Sequence, residues 1–232
     1  VKNYGGKVLL YGDTFDEAFD YATSLAKKDG FTFIHPYDDQ DVIVGQGTVG
    51  KELFDEIGSS IDAVFVPVGG GGLLAGLGTY LKSVSPNTKI IGVEPEDAAC
   101  LKLALENNKR LALKEVGLFA DGVAVKQIGK KTFSLIKDWI DDVVTVSVDE
   151  MCASVQDTFQ ETRIMSEPAG ALALAGLKKY VQSRGIKNKK LVAINSGANL
   201  NFDRLGHIVE RVQLGESKEV LLSVKIPEEK GS

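Results

Sequence analysis

Apolar and polar positions along this chain follow two periods. Short apolar runs alternate with longer stretches in which apolar residues recur three and four apart. The short runs predict strands at Val8 to Tyr11, Phe31 to Ile34, Val64 to Val68, Lys89 to Glu94, Val143 to Val146, Lys190 to Asn195 and Val220 to Ile226. Helices are predicted between them: Thr14 to about Gly30, Asp41 to Ile57, Leu73 to Val84, Ala98 to Asn107, Lys130 to Asp141, Ser147 to Met165, Ala169 to Ser183 and Asp203 to Val212. Their starts carry chemical markers. Thr14 with Glu17 and Ser147 with Glu150 read as capping boxes, and Pro168 sits where a first helical turn tolerates proline. Residues 111–129 carry neither period. Such alternation predicts an α/β fold, a mostly parallel sheet with helices on both faces.

The pattern also divides the chain. Residues 1–40 form a β-α-β piece too small for a domain, which reads as the end of one whose earlier part precedes Val1. Residues 41–215 hold the main α/β alternation. The strand after Gly215, in residues 216–232, reads either as a sheet edge or as the opening of a further domain.

With 232 residues, 44% of them hydrophobic, the chain can bury a substantial core. Its net charge of −5 and lack of a basic stripe argue against nucleic acid and acidic membranes as partners. The uncharged run from Ala63 to Leu81 is long enough to span a bilayer, but Pro67 and its adjacent glycines argue against a spanning helix. Cys100 and Cys152 lie far apart without metal-ligand spacing, which fits a reducing, cytoplasmic setting. Only His35 and His207 are present, too few for a zinc site or a Ser-His-Asp triad, and each reads as structural.

The stretch VFVPVGGGGLL, Val64 to Leu74, concentrates the candidate chemistry. A buried strand ends on Gly69, Gly70, Gly71 and Gly72, and a helix begins at Leu73. Residues without a Cβ let the backbone turn tightly and aim several N–H groups at one point, where the helix dipole adds positive potential. A phosphate suits such a place, although the same letters also make a tight turn under a close helix. Gly70, Gly72 and Ala75 also fit G-x-G-x-x-A, with Glu94 near the distance expected of a ribose ligand, so a nicotinamide oxidoreductase is a rival. A mononucleotide P-loop is excluded, since no Gly-Lys pair is followed by Ser or Thr.

Ligands of open parallel sheets lie beyond the carboxyl ends of the strands. Three loops are candidates there. Ser196-Gly197-Ala198-Asn199 offers a hydroxyl and an amide, or is a plain turn. Asp121-Gly122 lies in the irregular stretch, where Gly122 allows close backbone approach and Asp121 serves as turn former or ligand. Glu167 precedes Pro168 and reads most simply as a helix cap.

Taken in order, GGGGL at Gly69 to Leu73, VGLFADGVAV at Val116 to Val125, EPAGALALAG at Glu167 to Gly176 and SGANLNFDRL at Ser196 to Leu205 resemble the biosynthetic threonine dehydratases. These are pyridoxal-phosphate enzymes of the tryptophan-synthase-β-like fold, fold type II. The resemblance runs from Val1 to about Gly215. It implies that pyridoxal 5′-phosphate is the cofactor, that Gly69 to Gly72 and Leu73 surround its phosphate, and that Ser196 hydrogen-bonds the pyridine nitrogen. A hydroxyl does not protonate that nitrogen as an aspartic acid would, so the ring is a weaker electron sink and β-elimination is favoured over transamination. Gly122 matches a position lining the substrate side of the ring.

The resemblance further implies conversion of L-threonine to 2-oxobutanoate and ammonia, the first step of isoleucine biosynthesis, in a homo-oligomer with an amino acid substrate. Residues 1–40 then end the small domain, 41–215 form the large cofactor domain, and 216–232 open a C-terminal ACT-like region subject to isoleucine feedback. The Schiff-base lysine belongs before Val1, so residues 1–232 alone are expected to be inactive. A related serine dehydratase or racemase remains an alternative, and a non-catalytic binding module is a third reading. Similar enzymes carry a cation near the Glu-Pro of the fourth strand; Glu94 and Ala98 fit, but Cys100 stands where an acidic side chain is needed, so no metal is expected.

Overall fold

The computed structural model describes residues 2–12 and 15–215. Its centre is a sheet of four parallel strands, β1 (Ala63–Pro67), β2 (Lys89–Pro95), β3 (Asp142–Val146) and β4 (Leu191–Ala193), in the spatial order β3-β2-β1-β4. Ala63 pairs with Lys89 on one side and with Leu191 on the other, so β1 is interior. Every residue of β1 is buried. That is why its sequence reads as a continuous apolar run and not as an alternation.

Among the described residues, eight α-helices accompany the sheet: α1 (Phe15–Asp29), α2 (Gln40–Ile57), α3 (Gly72–Val84), α4 (Cys100–Glu106), α5 (Lys130–Ile136), α6 (Val148–Thr162), α7 (Pro168–Arg184) and α8 (Arg204–Gly215). The period-2 geometry of the strands sorts their side chains between two cores. Val64, Val66, Val68 and Ile90 meet α2, α3, α4 and α5, whereas Ala63, Phe65, Ile91 and Val93 meet α7 and Met151 of α6. Glycine lets α2 and α3 approach closely. Gly76 on α3 lies against α2 so closely that a Cβ there would come within 2.2 Å of the Ile43 carbonyl oxygen and 2.7 Å of the Gly47 nitrogen.

The predicted α/β class and most of its elements are present. Ser147 and Glu150 form both halves of the capping box that starts α6. Four expectations require correction. Residues 8–11 and 31–34 are not strands, and Leu10 and Ile34 are exposed. They are short apolar runs, but a strand exists only where a neighbour completes its ladder, and no described residue does so. The predicted β-α-β piece is therefore α1 with two irregular flanks.

Helix α5 stops at Ile136, short of Asp141, because the Asp141 carboxylate is drawn to the start of β2. It accepts the Ile90 N–H at 2.7 Å and the Lys82 ammonium at 2.8 Å. Helix α6 ends at Thr162, where Arg163 takes a left-handed conformation with φ of 63°. β4 spans three residues, fewer than the Lys190 to Asn195 expected. The capping role of Thr14 and the strand Val220 to Ile226 lie outside the described residues. No helix among the described residues is long and apolar enough to cross a membrane.

Two glycine-to-alanine substitutions in the α2–α3 layer are expected to diverge. Gly76→Ala should lower the unfolding free energy by about 1–3 kcal/mol through backbone overlap. Gly45→Ala, where a Cβ meets nothing within 4 Å, should raise it by about 0.5–1 kcal/mol. Urea denaturation midpoints of the two variants check the pair.

Candidate functional site

The strand β1 ends at Pro67, and the Val68 N–H makes a last bond to the Val93 carbonyl at 2.9 Å. The four glycines then reverse the chain into α3. Gly71 is the N-cap residue of that helix with φ of 90°, a left-handed conformation that glycine adopts without strain. The carbonyls of the loop are engaged. Gly69 O accepts the Cys100 thiol at 3.4 Å, Gly70 O accepts the Thr132 hydroxyl at 2.8 Å, and Gly71 O accepts the Ala75 N–H at 2.8 Å.

The amides are not engaged. Among the described residues, the N–H groups of Gly70, Gly71, Gly72 and Leu73 have no hydrogen-bond acceptor. Four donors are gathered at the N-terminus of α3, where the helix dipole adds positive potential.

This loop forms one wall of a cavity of about 370 Å³. Gly122 and Val123 line it from the irregular stretch, Glu167 and Ala169 from the start of α7, and Ser196 from the end of β4. Gly69 to Gly72 and Leu73 therefore share one cavity with Ser196, although more than a hundred residues separate them in the chain. The reason is topological. β4 pairs with β1 on the side opposite β2, so the loops after β1 and β4 face each other at the switch point of the sheet. Ser196 carries no hydrogen bond from its hydroxyl to any described residue, whereas its neighbour Asn195 is committed to the buried Ser166 hydroxyl at 2.6 Å.

Glu167 departs from expectation. It occupies the N-cap position of α7, yet its side chain makes no capping hydrogen bond. The carboxylate reaches across to the loop after β4 instead: a Cβ on Gly197 would lie 2.0 Å from Oε1, and one on Gly122 would lie 3.7 Å from it. Asp121 acts as the turn former, its carboxylate accepting the Gly122 N–H at 3.1 Å, and lies 3.9 Å from the Arg204 guanidinium.

Tyr37 was not legible as a site residue. Its ring lies on the glycine loop, where a Cβ at Gly70 would come within 2.2 Å of Cγ. The turn that carries it is built around His35, whose Nδ1 accepts the N–H groups of Tyr37 and Asp38 at 3.2 and 2.9 Å. Burial lowers the His35 pKa, against the opposing pull of Asp38 and Asp39. His35 thus serves as a structural acceptor.

Glu94 does not face the cavity. It is fully buried, and its two oxygens accept the N–H groups of Leu101 and Lys102 at 2.7 and 2.9 Å, closing the first turn of α4. Burial pushes its pKa up to about 7, against the lowering effect of those bonds. Burial and the adjoining Glu94 likewise raise the Cys100 thiol, and burial pushes Cys152 up to about 12. Both cysteines are free. Among the described residues no cluster of three His, Cys, Asp or Glu side chains could hold a metal.

The fold is a parallel α/β sheet with a cavity beyond the carboxyl ends of its strands, and the chain belongs to the family of pyridoxal-phosphate dependent enzymes, which matches residues 1–197. Within that family it is similar to biosynthetic L-threonine dehydratases. It is 48% identical to that of Burkholderia multivorans over the whole of this chain and 46% of the relative, and 50% identical to that of Escherichia coli over 45% of the relative. The chain thus spans about half the length of the curated relatives it matches.

A solved structure of the processed form of threonine deaminase isoform 2 from Solanum lycopersicum superposes with a TM-score of 0.89 at 47% identity, covering 92% of this chain and 58% of the other. Maize serine racemase superposes at 0.81 with 26% identity, covering 94% of this chain and 66% of the other. The nicotinamide reading is overturned: Glu94, its ribose ligand, is consumed inside the protein.

A carboxyl group held neutral by burial destabilises the fold as it ionises. Its contribution is full below about pH 4.5, where it is protonated folded and unfolded, and is lost as pH rises through about 7. The unfolding free energy of the wild type should therefore fall more between pH 5 and pH 8 than that of Glu94→Gln, as measured by urea titration at both pH values.

Proposed function

We propose that this chain forms the cofactor-binding part of a pyridoxal-phosphate-dependent threonine ammonia-lyase, which converts L-threonine to 2-oxobutanoate and ammonia at the entry to isoleucine biosynthesis. The observation that carries the reading is the opposition, across one cavity, of four N–H groups and a serine hydroxyl that find no hydrogen-bond partner among the described residues. A phosphate at one end and a ring nitrogen at the other match that pair of unspent groups. The names of the relatives supply the substrate.

In this reading the loop of Gly69 to Gly72 and Leu73 surrounds the phosphate, the N–H groups of Gly70 to Leu73 hold it, and the α3 dipole favours its charge. When bound, pyridoxal phosphate supplies an electron sink for the pair left by the substrate's α-proton. Ser196 holds the ring nitrogen with a neutral hydroxyl. That oxygen gives up no proton near neutral pH, which keeps the sink weak and favours departure of the β-hydroxyl. Gly122 leaves room on the substrate side, and the Glu167 carboxylate stands beside it.

The remaining assignments complete the proposal. Residues 1–40 end a small domain, residues 41–215 form the large domain, and residues 216–232 open a regulatory region. The buried members of the three apolar clusters all fall within 43–212, which supports the first boundary. The covalent lysine belongs to the part of the longer enzyme that precedes Val1. We place the enzyme in the cytoplasm as a homo-oligomer; two free, buried cysteines support a reducing compartment, while the tomato relative is named chloroplastic. Serine as the preferred substrate is the second reading, favoured by the likeness to serine racemases.

The protein carrying this chain is expected to form 2-oxobutanoate from L-threonine, with a higher kcat/KM than for pyruvate formation from L-serine, both read by hydrazone absorbance. Pyruvate from serine with no 2-oxobutanoate from threonine would overturn the substrate assignment. Ser196→Ala should retain the cofactor yet lower kcat by about tenfold, the value of one hydrogen bond made at the reacting ring.

A further inference from the structure

The peptide between Gly70 and Gly71 has two faces, and only one suits a phosphate. All peptide bonds are trans, so the Gly70 carbonyl and the Gly71 N–H point in opposite directions. Neither residue has a side chain, so the unit can rotate about its flanking bonds at little steric cost. Rotated by half a turn, it would present a carbonyl oxygen to a phosphate dianion. The orientation must be imposed from outside the loop.

The fold imposes it from behind. Gly70 O accepts the Thr132 hydroxyl at 2.8 Å and the Gly129 N–H at 3.2 Å. Thr132 is fully buried, in the first turn of α5. Its hydroxyl leaves its own helix to bond a loop 62 residues away. The N-cap residue of α5 is Gly129, which offers no capping side chain, and a Cβ there would come within 2.5 Å of Asp38 Oδ1 and 2.6 Å of Thr132 Oγ1. Asp38 supplies the cap instead. Its carboxylate accepts the N–H groups of Lys130 at 2.9 Å, Lys131 at 2.7 Å and Thr132 at 3.2 Å. The residue before it, Tyr37, lays its ring on Gly70 from the other side.

We infer that Thr132 is a positioning residue for the cofactor phosphate: set in place by Asp38, its hydroxyl holds the Gly70 carbonyl back so that the Gly71 N–H faces the ester. The inference deepens the cofactor reading and rests on it. Thr132 does not line the cavity. It acts on the phosphate alone, and this separates it from a residue that merely supports the fold.

The test compares wild type, Thr132→Val, Thr132→Ser and Asp38→Asn in the apoprotein carrying this chain, by fluorescence titration with pyridoxal 5′-phosphate and, separately, with pyridoxal. Thr132→Val keeps the shape and removes the hydroxyl. It should raise the dissociation constant for pyridoxal 5′-phosphate about tenfold. Thr132→Ser should restore it, and Asp38→Asn should give a smaller rise in the same direction. Pyridoxal, which lacks the ester, should give one response in all four proteins.

Equal affinity of wild type and Thr132→Val for pyridoxal 5′-phosphate, an equal loss for both ligands, or a serine variant as weak as the valine one would overturn the assignment. Should Thr132→Val not fold, as judged by circular dichroism, Thr132→Ser and Asp38→Asn decide: wild-type affinity in the first with an ester-specific loss in the second supports it, and any other pairing overturns it. Failure of the wild type to take up pyridoxal 5′-phosphate would instead overturn the cofactor reading itself.

Discussion

The parallel pairing of β4 with β1 is the contact on which the site depends. Three registered pairs, Ala63 with Leu191, Val64 with Val192 and Phe65 with Ala193, place the end of β4 beside the end of β1. Because β2 flanks β1 on its other side, the connections leaving β1 and β4 diverge to opposite faces and leave a crevice between them. The glycine loop and Ser196 meet only there. Without that pairing the chain would still hold a strand, a glycine turn and a helix, but no second wall.

The glycine loop is an unusual use of backbone polarity. Buried amide groups ordinarily find partners, and leaving several donors without protein acceptors costs stability. The carbonyls of Gly69, Gly70 and Gly71 are satisfied, by Cys100, by Thr132 and Gly129, and by Ala75, so the donor side of these peptides is what is left for a ligand. Cys100 and Glu94 belong to this arrangement. Glu94 completes the first turn of α4, whose first residue is Cys100, and the Cys100 thiol reaches Gly69. Cys100 is thus an internal brace of the loop.

Relatives named threonine dehydratase and structures named serine racemase share this frame, so the frame itself does not choose a substrate. Gly122 and Glu167 line the same cavity as the glycine loop. Glu167 shows how a local reading can mislead. Its place before Pro168 is that of a cap, and the close approach of Gly197 turns its carboxylate into the cavity instead.

What the sequence by itself determined was everything set by neighbours along the chain. Continuous apolar runs gave β1 and β2, the Ser147 and Glu150 pair gave the start of α6, and Gly69 to Gly72 before an apolar run gave the tight turn into α3, because period, capping and glycine chemistry act over a few residues. Residues 8–11 and 31–34 had the right period and are not strands, since a ladder needs a partner that no local pattern contains. Only the tertiary structure decided which strand neighbours β1, that Tyr37 covers Gly70, that Glu94 turns inward, and that Asp38 caps a helix 92 residues away. Each of those is a contact between distant segments. Its energy exists only once the sheet order has brought the partners within reach.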